Sequence, residues 1–186
     1  MVRWRNTASG YGFVSASLHW VIVAGVIAQY FLAEAGEESD APATLFDPAN
    51  LHISLGLTLL ALALLRLVWR LTGQTPDWPA TMKRYERLLA RSVHAAFYVL
   101  LFAIPLSGWA LSSAEGDPVR FFGLFDVPAW VSANESSEEL LEEVHEVLFN
   151  CLFALALLHA AAALKHHFFD KDNVLRGMFG RPRRPG

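Results

Sequence analysis

Four long stretches of this chain are apolar almost without interruption, and its polar residues gather in the segments between them. Residues 14–33 carry no charge, 51–69 only Arg66 near the end, 92–114 none, and 144–164 only Glu146 near the start. Each run is 19 to 23 residues long, close to the ~20 that a helix needs to cross a hydrocarbon core ~30 Å thick. A buried helix of a soluble protein is rarely so long and so free of charge. The first run is not followed by a soluble mature domain, so it does not read as a signal peptide. The pattern predicts an all-α protein: a transmembrane four-helix bundle running up-down-up-down as one integral-membrane domain over 1–186.

Composition agrees and narrows the class. Of 186 residues, 54% are hydrophobic and 18% charged, with a mean hydropathy of +0.32, whereas soluble domains carry about 25% charged residues. That excludes a disordered, nucleic-acid-binding or ordinary cytosolic chain. The net charge of −3 conceals a segregation. Fourteen of fifteen basic residues lie in the N-terminal arm, at or beside the second connection, or in the tail. By the positive-inside rule that side is cytoplasmic, and so are both termini. The outer side has Arg120 alone among cations, with fourteen of the eighteen acids between Glu34 and Asp47 or between Glu115 and Glu146. The single cysteine, Cys151, excludes an intramolecular disulfide, and there is no CxxCH for covalent haem attachment.

Local signals set the limits of the spans. Ser136 and Ser137 precede Glu138, Glu139, Glu142 and Glu143, an N-cap with acids at the positive end of a helix dipole. The same acid cluster also suits docking of a partner. Pro105, with Gly108 nearby, is expected to kink the third span. Trp20, Trp69 and Trp109 fall towards span ends, where interfacial aromatics belong. The connection 113–143 is long enough for extra structure, with a short amphipathic stretch expected around Phe121 to Val127.

The candidate chemistry lies in seven histidines, because ionisable groups within a membrane are costly and suggest function. Alternating span direction puts His52 and His145 in an outer layer and His19, His94 and His159 in an inner one. His145 and His159 are fourteen residues apart on the fourth span, ~21 Å along a helix and ~40° apart around it. Two cofactors stacked across the bilayer, each taking one ligand from this helix, fit that spacing. Structural zinc fits poorly, since it needs about four ligands converging within a few Å. Two imidazoles facing each other across a bundle suit bis-histidine haem. The outer layer offers one pair; in the inner layer His19 and His94 compete as partner of His159. Gly56, and Ala160 to Ala163, leave room for a porphyrin or equally permit close helix packing. Arg66 lies fourteen residues after His52, at inner depth, where it can meet a haem propionate or a quinone, or snorkel to headgroups.

These residues resemble the bacterial cytochrome b561 family. The motifs are SLHW (17–20), LHISLG (51–56), RLVWR (66–70), HAAFYVLLFAIPLSGW (94–109), VHEVLFN (144–150) and, most specific, LHAAAALKHHFFDKDNVLRGM (158–178). Within the family the chain is similar to short stand-alone members of the superoxide oxidase type. The resemblance implies two haem b groups in the bacterial inner membrane, the inner one held by His19 and His159 and the outer by His52 and His145. His94 then becomes a neighbouring or quinone-site candidate. His166, seven residues beyond His159, is a candidate proton-exchanging group for quinone, or else a solvated interface histidine.

With both axial positions filled, electron transfer through haem edges is expected rather than dioxygen binding. The leading expectation is oxidation of superoxide at the outer face with reduction of ubiquinone, the protons coming from the cytoplasmic side. The acidic outer loops oppose an anion, with Arg120 as a local positive spot. They favour the other reading, an electron-acceptor or anchor subunit for a periplasmic dehydrogenase or a cationic cytochrome. A structural or metal-transport bundle would instead hold no haem.

Overall fold

A computed structural model of the chain describes residues 3–37, 47–79, 82–116 and 119–179. The acids Glu38, Asp40 and Asp117 and the tail residues Arg181, Arg183 and Arg184, all used in the charge argument, lie outside the described residues. Four long helices dominate: α1 (Phe13–Glu37), α2 (Pro48–Thr72), α3 (Arg84–Glu115) and α4 (Glu135–Phe168). All four are long and apolar enough to cross a membrane. A two-stranded hairpin, β1 (Val119–Phe121) and β2 (Phe125–Val127), precedes α4, and a single turn, α5 (Val174–Gly177), follows it.

The helices outrun the apolar stretches at both ends. Charge-free runs mark only the hydrocarbon core, whereas the backbone keeps its i→i−4 bonds into the headgroup region. Local chemistry sets the true ends. Pro48 opens α2, where its missing N–H costs nothing. At the start of α3 the Glu86 carboxylate reaches back to the Lys83 amide at 2.8 Å, half of a capping box. At α4 the cap is not Ser136 or Ser137, which fall inside the first turn. Asn134 lies ahead of them, and its side-chain oxygen accepts from the Ser137 amide at 3.2 Å. Pro105 sits within α3, which continues as one helix through it.

Packing divides the chain into two compact units. The first comprises Met1–Val21, Leu64–Val99 and Leu152–Gly186. Its N-terminal arm is tied by Arg3, which donates to the Thr7 and Ser9 hydroxyls and to the Tyr11 carbonyl at 3.0 to 3.1 Å. Trp69 donates to the Ser15 hydroxyl at 3.1 Å. Trp20 donates to the Met178 carbonyl at 2.9 Å and stacks on Phe179. Apart from Arg120, the described basic residues all belong to this unit.

The second unit comprises Ile22–Ala63 and Leu100–Cys151. Leu59 of α2 fills the space over Gly25 of α1, where a Cβ would come within 2.6 Å of its methyl. The extra structure expected around Phe121 to Val127 is a hairpin over residues 119–127. Phe122 and Gly123 at φ 46° and 70° supply the left-handed turn that closes so short a ribbon. Ser54 of α2, fully buried, accepts from the Phe122 amide at 2.9 Å and donates to the Arg120 carbonyl at 3.3 Å. Trp109 donates to the Pro128 carbonyl at 3.2 Å.

The distribution of side chains is that of a protein in lipid. Large apolar residues such as Ile27, Phe31, Leu65, Leu71, Val99, Phe153 and Leu158 point outward. The buried set includes Ala16, Ala63, Ala110 and Ala114 and the hydroxyls of Ser15, Ser54, Ser107, Ser112 and Ser113. Small residues let helices approach closely, and polar groups bond across helices rather than face hydrocarbon.

Ser54→Ala should leave the Phe122 amide without its acceptor, at a cost of about 1–3 kcal/mol. A lowered melting temperature in detergent, with faster proteolysis at residues 119–127, is the expected result. Unchanged stability would mean that the hairpin does not depend on this tether.

Candidate functional site

The second unit brings His52 and His145 together. Their ring centroids are 6.3 Å apart with planes at 71°. Both rings are anchored through Nδ1. His52 lies on the first turns of α2, and its Nδ1 is 3.2 Å from the Gln29 carbonyl of α1. A carbonyl only accepts, so Nδ1 carries the proton and Nε2 the free lone pair. The Gln29 side chain returns the contact by donating to the His52 carbonyl at 3.0 Å. A Cβ at Gly56 would meet that amide nitrogen at 3.0 Å, so the space at Gly56 is taken by Gln29.

His145 uses a side chain for the same purpose. Its Nδ1 is 2.9 Å from the Ser107 hydroxyl, which also lies 2.9 Å from the Ile104 carbonyl. The hydroxyl has one proton, and the carbonyl can only receive it. The Ile104 carbonyl is also a hydrogen-bond partner of the ring; with the hydroxyl proton on that carbonyl, Ser107 accepts from His145 Nδ1–H and the lone pair stays on Nε2. Gly108 makes room for the ring: a Cβ there would stand 3.0 Å from Cε1 and 3.3 Å from Nδ1.

The first unit brings His19, His94 and His159 together. His159 is 6.4 Å from His19 and 5.8 Å from His94, centroid to centroid, with Phe97 edge-on at 5.3 Å. His94 Nδ1 is buried with no hydrogen-bond partner. Arg66, half-buried, donates to the Ser15 carbonyl at 3.1 Å, the acceptor that an α-helix pairs with the amide of His19. It is thus held across to the start of α1. Arg70 lies over the Tyr98 ring at 5.9 Å.

A metal held between two imidazoles offers a direct test of fit. Metal–nitrogen bonds of about 2.0 Å, plus about 1.1 Å from each nitrogen to its ring centre, would place two opposed imidazoles about 6.2 Å apart. The separations of 6.3 Å for His52 and His145 and 6.4 Å for His19 and His159 are close to that span. For His52 and His145, an Nδ1 held by an acceptor leaves Nε2 for a metal, the chemistry a histidine ligand needs.

His166 is found in surroundings other than a solvated interface. It is 8% exposed, and its Nδ1 lies 2.7 Å from Asp172 and 3.0 Å from Asp170. Lys165 joins the group, with its ammonium 2.9 Å from Asp170 and 3.0 Å from Glu86 of α3. Asp172 also accepts from the Val174 amide at 2.9 Å, which fixes the start of α5. His166, Asp170 and Asp172 lie close enough to hold a cation, but the Lys165 ammonium already sits on Asp170. His167 rests against Phe168. Outside, Arg120 pairs with Asp126 across the hairpin at 3.3 Å, so the expected positive spot is matched by a carboxylate.

Several of these partners were missed from sequence. Gln29 and Ser107 were visible only as polar residues inside charge-free runs, and their bonds to the histidines depend on facing between helices. The i,i+4 spacing of His166 and Asp170 is a usable signal, whereas Asp172, six residues on, falls outside any helical spacing.

Residues 10–181 match the family of the prokaryotic cytochrome b561. Cytochrome b561 homolog 2 of Escherichia coli is 35% identical over 95% of this chain and 94% of its own length. Probable superoxide oxidase CybB of Yersinia pestis is 30% identical over 93% and 97%, and cytochrome b562 of Cereibacter sphaeroides 28% over 94% and 97%. The chain belongs to the prokaryotic cytochrome b561 family. It is a multi-pass protein of the bacterial inner membrane, built as a transmembrane helical bundle, that carries b-type haem and serves electron transfer.

Asp172→Ala should leave the Val174 amide without its acceptor and His166 Nδ1 with Asp170 alone. With the Asp172 side chain only 7% exposed, a loss of about 1–3 kcal/mol is expected, read as a lower melting temperature. If the variant melts as the parent does, the cluster does not secure the end of α4.

Proposed function

We propose that the protein is a di-haem b oxidoreductase that takes electrons from superoxide at the outer face and delivers them to ubiquinone. His52 and His145 hold the outer haem, and His19 and His159 the inner one. The observation that carries this reading is the pair of imidazole couples, each at the span of a bis-histidine metal. The match at 30% identity to a protein named probable superoxide oxidase supports the choice of donor. Each haem, when bound, supplies one reversible electron transfer and no open coordination position.

The chain's own residues do the rest. Gln29 and Ser107 hold the outer rings in the tautomer that presents Nε2. Arg66 and the basic ends of the helices favour an anionic propionate or a reduced quinone on the cytoplasmic side. His94, with its unpartnered Nδ1, is the hydrogen-bonding candidate for a quinone oxygen, and the His166 cluster is a route for protons. The balance is simple: two superoxide anions each lose one electron and leave as dioxygen, and one ubiquinone gains two electrons and two protons.

One observation favours a second reading. The outer side holds most of the acids, and its one cation is paired with Asp126. That surface suits a cationic periplasmic redox partner, for which this chain would be the membrane acceptor or anchor subunit.

Stopped-flow mixing of the oxidised protein with superoxide decides between them. The first reading expects fast haem reduction, reoxidation on adding ubiquinone, and a rate that rises with salt as repulsion is screened. Haem that stays oxidised under superoxide, in a protein that co-purifies with a periplasmic partner and accepts its electrons at a rate falling several-fold with salt, selects the second. His52→Ala and His145→Ala should each remove one haem of two and leave the inner haem spectrum intact. Two haems retained in either variant would defeat the ligand assignment.

A further inference from the structure

The two outer histidines are anchored by unlike acceptors. His52 leans on a backbone carbonyl, which no substitution at Gln29 removes. His145 leans on a side-chain hydroxyl, which one substitution deletes, with the Ile104 carbonyl beside it as a further partner. We propose that Ser107, with the gap at Gly108 beside it, is the positioning residue that fixes the tautomer and electron-donating strength of His145, and thereby sets the redox potential of the outer haem. This rests on the reading of His52 and His145 as the outer ligands.

The geometry supports a directed role. Ser107 is buried, and its hydroxyl bonds within the protein. Its proton goes to the Ile104 carbonyl at 2.9 Å, one turn back on the same helix. That donation polarises the oxygen and makes it a better acceptor for His145 Nδ1–H, also at 2.9 Å. Meanwhile the ring edge lies in the space that a side chain at 108 would fill, with Cε1 only 3.0 Å from the position of the absent Cβ. The hydroxyl and the gap together specify both the rotation of the imidazole and which nitrogen keeps its lone pair.

An acceptor at Nδ1–H pushes electron density towards Nε2, and partners of this kind raise ligand basicity. A more basic ligand favours the oxidised metal and lowers its potential. Removing the acceptor should therefore raise the potential of the outer haem and leave the inner haem as it was.

Spectroelectrochemical titration of the purified holoprotein tests this with three variants: Ser107→Ala, Ser107→Thr and His145→Ala. The expected result is two haems in Ser107→Ala with one midpoint potential shifted upward, and a return towards the parent value in Ser107→Thr, which restores a hydroxyl. Loss of one haem in Ser107→Ala that Ser107→Thr recovers would also support the positioning role. If His145→Ala loses a haem while both potentials in Ser107→Ala are unchanged, Ser107 does not act on the ligand. The proposal is likewise overturned if Ser107→Thr fails to reverse the effect of Ser107→Ala. Two haems in His145→Ala would mean that the ligand reading itself is wrong, a result distinct from either outcome for Ser107.

Discussion

A neutral imidazole in a water-free interior has one donor and one acceptor, and the protein must satisfy the donor if the acceptor is to be free for a metal. Much of the second unit serves that requirement. The Gln29 carbonyl receives the proton of His52, and the Ser107 hydroxyl receives that of His145. Gly56 admits the Gln29 side chain, and Gly108 admits the His145 ring. Small residues at these positions are thus explained by specific neighbours: a side chain at Gly56 would strike the Gln29 amide that bonds the His52 backbone, and one at Gly108 the His145 ring itself.

The same constraint shapes the chain as a whole. Lipid supplies no hydrogen bonds, so several hydroxyls and indoles within or beside the spans find partners in the protein. Ser54 takes the hairpin backbone, Trp69 takes Ser15, and Trp109 takes Pro128. Arg66 takes a carbonyl of the helix that carries His19. Large apolar side chains are left for the outside, where lipid accepts them at no cost. Where water returns, at the end of α4, the arrangement changes to ion pairs among Lys165, Glu86, Asp170 and His166.

How much of this was legible in the sequence follows from the range of each interaction. The four spans were legible because a charge inside hydrocarbon is prohibitive, so its absence over twenty residues is a strong signal. The extra helix beyond each span was not, since amphiphilic flanks such as 84–91 carry charges that the headgroup region tolerates. Grouping of the histidines by depth needed only the alternation of span direction. Finding Asn134 as the cap in place of Ser136 or Ser137 required the backbone, because three adjacent polar residues all have the right chemistry. Ser107 lay beyond sequence reasoning altogether: a serine in a span is ordinary until the ring it faces is known.

The outer surface brings electrostatics and chemistry into opposition. A field dominated by carboxylates slows an anion, and Arg120 does not relieve it because Asp126 sits 3.3 Å away. Superoxide is small and short-lived, however, and a reaction limited by encounter tolerates some loss of rate if each encounter is productive. A protein donor gains more from the same field, because many of its charges interact at once and orientation matters to it. The acids therefore weigh on the choice of donor but not on the electron path, which depends on histidines placed within the spans. On the proposed ligand assignment, what the outer haem could accept would be set by its potential, which brings the question back to the hydroxyl of Ser107. A single neutral acceptor beside His145 would then be a local control on which donors the protein oxidises, independent of how they reach it.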